Sequence, residues 1–332
     1  MPVNEPMNLP EGIDNFLAGA GWSGAEIEPL AGDASFRRYF RIIKGDKSAM
    51  LMDAPPPNED PRPFLRAARW LDNNGMRAPH IYADDPERGL VLLEDFGPAR
   101  MRDYIDQWPA DEAEIYTAAV DALVRLHQLP PGPFLDYSLS EYTREVRLFT
   151  EWYCPAQNLE VDNAGFVTAW EKALGDLLPR QRPGVTVLRD YHAENIMLLG
   201  SLQKQGLLDF QDALAGHPAY DLVSLLQDAR RDVSPDVETA MLAHYQRETG
   251  IDMETLQADY ARLGAQRNTK IVGIFVRLWK RDGKPRYLDL IPRVWALLER
   301  DLAHPALEPV ARWFDANIPA ELRQAGGGQY AI

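Results

Sequence analysis

V-L-R-D-Y-H-A-E-N-I-M-L-L-G-S-L-Q-K-Q-G-L-L-D-F-Q-D, residues 187–212, is the stretch whose reading decides the fold. Asp190 and Asn195 stand five apart in a polar loop, entered from the apolar run 185–188 and left through the apolar run 196–199. Asp209 ends a second short apolar strand, residues 206–208, with Phe210 behind it. A carboxylate, an amide oxygen and a second carboxylate, carried on loops between short strands, suit phosphoryl transfer with Mg²⁺. One carboxylate orients and deprotonates an attacking hydroxyl, while the other and the amide oxygen hold hard cations against nucleotide phosphates.

In this form, D-Y-H-x-x-N followed by L-D-F-Q-D, the segment resembles the catalytic loop and metal motif of protein-kinase-like enzymes, and most of all the aminoglycoside phosphotransferase branch of small-molecule kinases. The resemblance implies Asp190 as catalytic base, Asn195 as a Mg²⁺ ligand and Asp209 as the principal Mg²⁺ ligand. It also implies an α+β, protein-kinase-like two-lobed fold, with a small antiparallel-sheet N-lobe, a larger helical C-lobe and ATP–Mg²⁺ in the cleft.

Composition bounds the answer without deciding it. A chain of 332 residues, 45% hydrophobic and 26% charged, has room for about two domains and a buried core. No apolar run reaches the roughly 20 residues of a membrane helix, and the N-terminal M-P-V-N-E-P-M-N-L-P-E has neither the basic nor the apolar region of a signal peptide. The single cysteine, Cys154, excludes an internal disulfide and a Cys-based metal cluster, as in a reducing cytoplasm. A formal net charge of −15 argues against nucleic acid as a partner. The expectation is a cytoplasmic monomer acting on a small molecule, with neither nucleic acid nor membrane as partner.

Along the chain, apolar spacing predicts a helix over residues 11–20, then strands at 27–30, 38–43 and 49–52. The turn Gly32, Asp33, Ala34, Ser35 brings small residues together where backbone N–H groups can approach phosphate oxygens, and it occupies the place of the nucleotide loop. A helix follows over 61–74, stopped by Gly75, and then a strand at 90–93. Leu93, Glu94 and Phe96 lie in L-E-D-F-G-P, where the family's hinge bonds adenine through backbone groups, so the lobes divide into 1–97 and 98–332. Helices then end near His127, pass through Tyr142–Val146–Phe149 positions and 166–177, restart at Tyr220 and run to about Leu307. Asp221 matches a family residue that fixes the catalytic loop, and the last ten residues, R-Q-A-G-G-G-Q-Y-A-I, read as a flexible tail.

The sequence departs from the kinase pattern in one place that matters. The strand S-A-M-L-M-D-A-P-P carries Met50 and Met52 where kinases place the lysine that pairs the α/β-phosphates. Phosphate positioning then depends on Arg37, Arg38, Arg41, Lys44 or Lys47 reaching in from the neighbouring hairpin. A catalytically inactive nucleotide-binding module is the alternative this opens, although Asp190, Asn195 and Asp209 are all intact. His192-Ala-Glu194 has the spacing of a zinc-deaminase H-x-E, but the required Cys pair is absent.

The stretch R-N-T-K-x-x-G-I-F-x-R-L from Arg267, with A-S-F-R-R-Y-F-R, M-D-A-P-P and D-F-Q-D-A, narrows the resemblance. It is similar to the cell-wall sugar kinases that phosphorylate N-acetylmuramate and N-acetylglucosamine at the anomeric hydroxyl, which implies an amino-sugar acceptor and a place in peptidoglycan recycling. An acceptor carboxylate calls for a cation; Arg189, Arg267 and Lys270 are the candidates, the last two near the start of their helix. His192 and Asp212 are further candidates for contact with the acceptor, and Trp152, Tyr153 and Trp279 for stacking on a sugar face. Another acceptor of the same family, such as an aminoglycoside, choline or an amino alcohol, would instead gather acidic residues.

Overall fold

The computed structural model describes residues 9–30 and 36–330, so the expected phosphate turn, Gly32, Asp33, Ala34 and Ser35, lies outside the described residues. The chain divides into two compact units, Met1–Arg100 with Ile196–Asp212, and Met101–Asn195 with Ala213–Ile332.

The first unit is built on an antiparallel sheet of β1 (Glu26–Pro29), β2 (Arg38–Lys44), β3 (Lys47–Asp53), β4 (Ile81–Asp85) and β5 (Leu90–Glu94), in the order β1-β2-β3-β5-β4. Gly45, at φ 62, opens the two-residue turn between β2 and β3, whose ends pair Lys44 with Lys47. Period-two alternation sends Phe40, Ile42, Ala49, Leu51, Leu90 and Leu92 to one face, where α1 (Ile13–Gly19) covers them with Ile13, Phe16 and Leu17. Strand β4 has no counterpart in the sequence reading; its Ile-Tyr-Ala-Asp-Asp carries too little apolar alternation to announce a strand.

The opposite face is set by register. Tyr39 lies across from Met52 and Arg41 across from Met50. On the next strand Met52 faces Val91 and Met50 faces Leu93. Helix α2 (Arg62–Asn73) buries Phe64, Leu65, Ala68 and Leu71, as its spacing predicts, and Phe64 stacks on Phe210 at 5.1 Å. The hairpin of Ile196–Leu198 and Gln205–Leu207 belongs to this unit and is tied to it by Leu207 N–H donating to the Arg77 carbonyl at 2.8 Å and Leu198 N–H donating to the Ala99 carbonyl at 2.7 Å.

The second unit is organised around the 30-residue helix Met253–Asp282, capped by the Asp252 carboxylate at its start and by Gly283, at φ 65, at its end. It packs against Leu139–Leu148, Ala219–Leu226 and Ile291–Leu302. Gly273 permits the closest crossing: a Cβ there would stand 2.3 Å from the Leu148 backbone, next to the π-helical turn Phe149–Tyr153. Phe149, Tyr153, Trp295 and Phe314 form an aromatic core beside it. Tyr153 is therefore a core residue, with its hydroxyl donating to the Gly327 carbonyl at 3.0 Å. That bond also corrects the reading of a flexible tail for its described part, because residues 323–330 are docked through Gly327 and through Tyr330 packing edge-on to Trp279. Among the described residues no helix is long and apolar enough to cross a membrane.

Candidate active site

In the helical unit, the strands Val185–Val187 and Leu214–Gly216 pair antiparallel and present the loop that carries Asp190. The loop is pinned from beneath. Asp221, fully buried, accepts the Leu188 N–H at 2.7 Å and the Arg189 N–H at 2.8 Å. Burial pushes its carboxyl up to about 7 against the pull of those two amides. Ser224 donates to the Arg189 carbonyl at 3.1 Å, which helps hold Arg189 at φ 73, a conformation a non-glycine residue adopts only when its surroundings fix it. Asn195 closes the loop by donating its amide N–H₂ to the Asp190 carbonyl at 2.9 Å, so what it has to offer a cation is oxygen.

The Asp190 carboxylate is partly exposed. Arg267 approaches it at 3.6 Å while donating to Ser224 at 2.9 Å. Desolvation raises the Asp190 pKa, but Arg267, then Lys270, His192 and Arg189, more than offset it and hold the group below the usual carboxylate value. Asp190 is thus ionised and ready to accept a proton. The sequence reading placed Arg267 and Lys270 near the start of their helix; they lie in its middle, because Met253–Asp282 begins fourteen residues before Arg267.

Two of the expected acceptor cations, Arg189 and Lys270, share a partner that no motif announces. Glu145, 1% exposed, accepts from Arg189, from Lys270 at 3.0 Å, from the Tyr137 hydroxyl and from Gln266 at 3.2 Å. Burial raises the Glu145 pKa, and Lys270 and Arg189 bring it below its ordinary value. Lys270 also reaches the Tyr220 hydroxyl at 3.3 Å. Three cations, Arg189, Arg267 and Lys270, therefore surround two carboxylates, Asp190 and Glu145. Arg267 Nη1 is buried with no partner among the described residues.

His192 is 4% exposed and braces the loop. Its Nε2 faces two donors, Asn195 Nδ2 at 3.4 Å and Arg230 Nη1 at 3.3 Å, so Nε2 accepts and the proton sits on Nδ1. Burial, assisted by Arg230, outweighs Asp228 and Asp190 and keeps the imidazole below its usual pKa, neutral. Glu194 is held in turn by Arg102 and by Arg230 at 3.2 Å.

In the sheet unit, Asp209 follows the strand Gln205–Leu207 in a left-handed conformation, φ 58, with Gln211 Nε2 donating to its Oδ1 at 2.7 Å. Phe210 points the other way into the core, and Asp212 is exposed. Leu93 is buried on the Met50 side of the sheet. Glu94 N–H is already donated to the His80 carbonyl at 2.8 Å and its carboxylate is paired with Arg77. Phe96 lies under the Arg77 guanidinium, 4.7 Å from ring centre, and against Gly206, where any Cβ would come within 2.5 Å of the ring. Arg38 is tied to buried Asp53 at 2.8 Å and lies over Phe40, on the α1 side of the sheet.

An antiparallel-sheet unit, a helical unit, a pinned Asp–Asn loop and a carboxylate just after a hairpin strand define a kinase-like phosphotransferase fold. The family model of the phosphotransferase enzyme family matches residues 26–264, and the chain belongs to that family. An N-acetylmuramate/N-acetylglucosamine kinase of Pseudomonas aeruginosa is 40% identical to it over 88% of this chain and 89% of the relative. One of Caulobacter vibrioides is 36% identical over 93% and 96%. Among solved structures, an aminoglycoside phosphotransferase in complex with gentamicin shares the fold at a TM-score of 0.62 and 14% identity, over 91% of this chain and 99% of that one. A choline/ethanolamine kinase family protein from Mesorhizobium loti does so at 0.61 and 16%, over 88% and 94%.

Proposed function

We propose that this chain is an ATP-dependent kinase that phosphorylates the anomeric hydroxyl of N-acetylmuramate and N-acetylglucosamine, acting in the cytoplasm to return cell-wall sugars to metabolism. The observation that carries the reading is Asp190, an ionised carboxylate on a loop pinned by Asp221, in a chain 33–40% identical to kinases named for these two sugars.

Asp190 accepts the acceptor's hydroxyl proton as the oxygen attacks the γ-phosphorus and the bond to the β–γ bridging oxygen breaks to release ADP, and Arg267 keeps the carboxylate ionised until then. A phosphoryl transition state is loose, so most of the rate gain comes from positioning and charge stabilisation rather than from covalent chemistry. The cations Arg189, Arg267 and Lys270 beside Asp190 suit an acceptor that bears a carboxylate in one form and none in the other.

Asn195 and Asp209 offer oxygens only, the donor class that Mg²⁺ prefers. Among the described residues no three His, Cys, Asp or Glu side chains gather into a ready-made metal cage, and a Mg²⁺ ion arriving with ATP would draw ligands from the nucleotide's own phosphates. When bound, magnesium neutralises charge on those phosphates.

The product tests the reading. With Mg-ATP and N-acetylmuramate, the expected outcome is one phosphate per sugar and loss of the reducing end, because C1 carries the ester. A phosphorylated sugar that still reduces would place the ester elsewhere and sink the anomeric assignment.

A further inference from the structure

Strand β3 offers Met50 and Met52 where a kinase would place its phosphate-pairing lysine, and the register shows what stands beside them. Met52 lies directly across from Tyr39, on the face of the sheet opposite α1. Directly opposed residues on neighbouring strands share a face, so Tyr39 marks the place from which the missing lysine would have projected. Arg37, one residue before β2, extends its guanidinium to Glu59 at 3.2 Å, and both side chains are 15% exposed. Glu59 in turn stands three residues before α2, the helix whose first turn stacks Phe64 on Phe210 beside Asp209.

The electrostatics around Tyr39 tie these groups into one neighbourhood. Burial raises the pKa of its hydroxyl, Arg37 opposes that by charge and by hydrogen bonding, and the negative charges of Asp209 and Glu59 add to it. Arg37, the Glu59 carboxylate that braces it and Asp209 thus all bear on the charge state of the Tyr39 hydroxyl within a single unit of the chain. The other candidates fare worse. Arg38 is committed to Asp53 on the α1 side, Arg41 is bound to Asp95 at 2.8 Å, Lys44 donates to the Gly21 carbonyl at 2.8 Å, and Lys47 stands across from Lys44 at the turn end of β3, away from the Tyr39–Met52 pair.

We infer that Arg37, braced by Glu59, binds the nucleotide's phosphates in place of the strand lysine that this chain lacks. An arginine suits the task because its planar fork can grip two phosphate oxygens at once, and a carboxylate behind it fixes the fork's direction. The Arg37–Glu59 pair thereby reproduces, from the β2 side, the Lys–Glu pair that kinases build from β3 and a helix. The inference rests on the nucleotide reading of the proposed function.

The test is a binding titration of the full chain with Mg-ADP and, separately, adenosine, for wild type, Arg37→Gln and Arg37→Lys. Loss of a charge-assisted phosphate contact should raise the Kd for Mg-ADP about 10- to 100-fold in Arg37→Gln. Affinity for adenosine should stay near wild type, and Arg37→Lys should recover part of the loss. An equal loss for both ligands would make Arg37 a structural residue and overturn the inference, as would a Kd for Mg-ADP within twofold of wild type. Should Arg37→Gln fail to fold, Glu59→Gln takes its place, with an expected rise in Kd for Mg-ADP of about two- to fivefold; an unchanged or tighter Kd overturns the inference. Wild-type protein that binds no Mg-ADP would overturn the nucleotide reading itself and the inference with it.

Discussion

Replacing Arg267 by methionine should move the acidic limb of the pH–rate profile upward by about one pH unit. The guanidinium stands 3.6 Å from the Asp190 carboxylate and leads the charges that draw its pKa down against desolvation. At that separation two unit charges interact by about 1 kcal/mol in a water-like medium and by about 4 to 5 kcal/mol at an effective dielectric constant of about 20. The Asp190 side chain is 46% exposed, so solvent screening favours the lower part of that range. An interaction of about 1 to 2 kcal/mol corresponds to roughly one pKa unit. The sign follows from the chemistry: losing the cation makes the carboxylate easier to protonate, and the base is then lost at a higher pH. The assay is kcat/KM for the acceptor across the acidic range, with Arg267→Lys as a variant that keeps the charge. Limbs that overlay for wild type and Arg267→Met would refute the claim that Arg267 keeps the base ionised.

Further outcomes follow from named contacts. Asp221→Asn leaves one of the Leu188 and Arg189 amides without an acceptor, a buried loss of about 1 to 3 kcal/mol, and kcat should fall by more than KM changes because the loop holding Asp190 loosens. Burial raises the Asp259 pKa, but hydrogen bonds from Arg180 and His217 outweigh it and bring the group down to about 2. Its stabilisation is complete above the ordinary aspartate pKa and disappears as pH falls through about 2. Asp259→Asn should therefore lower unfolding free energy by about 2 kcal/mol near neutrality, a gap that closes with acid in denaturant titrations. Gly273→Ala drives a Cβ to 2.3 Å from the Leu148 backbone and should cost about 2 kcal/mol or more, read as a lower melting temperature.

What the sequence made legible was whatever local spacing encodes. Asp190, Asn195 and Asp209 are spaced by loop and strand geometry, and the apolar spacing of β2 and β3 and the stripe on α2 mark those elements in the sequence. The sites of Glu145, Lys270 and Arg267 were hidden for a different reason. Glu145 sits among charged neighbours in S-E-Y-T-R-E-V-R, where nothing distinguishes the one acid that turns inward from those that face water. Arg267 and Lys270 read near a helix start because the apolar face singled out there begins at Ile271, yet the same helix runs back through the buried Tyr260, Leu263 and Ala265 to Met253. The Gly-rich tail read as flexible since glycine supplies no side-chain contacts; it is held through a backbone carbonyl, which sequence pattern does not report.

The central claim is that Asp190 drives phosphoryl transfer to an N-acetylated amino sugar. ADP release from Mg-ATP, measured with N-acetylmuramate, N-acetylglucosamine, kanamycin and choline, for wild type beside Asp190→Asn, tests it most directly. The account requires turnover with the two N-acetylated sugars alone and a fall in kcat of about 10² to 10⁴ in the variant. Turnover with kanamycin or choline instead, or a variant as active as wild type, would contradict it.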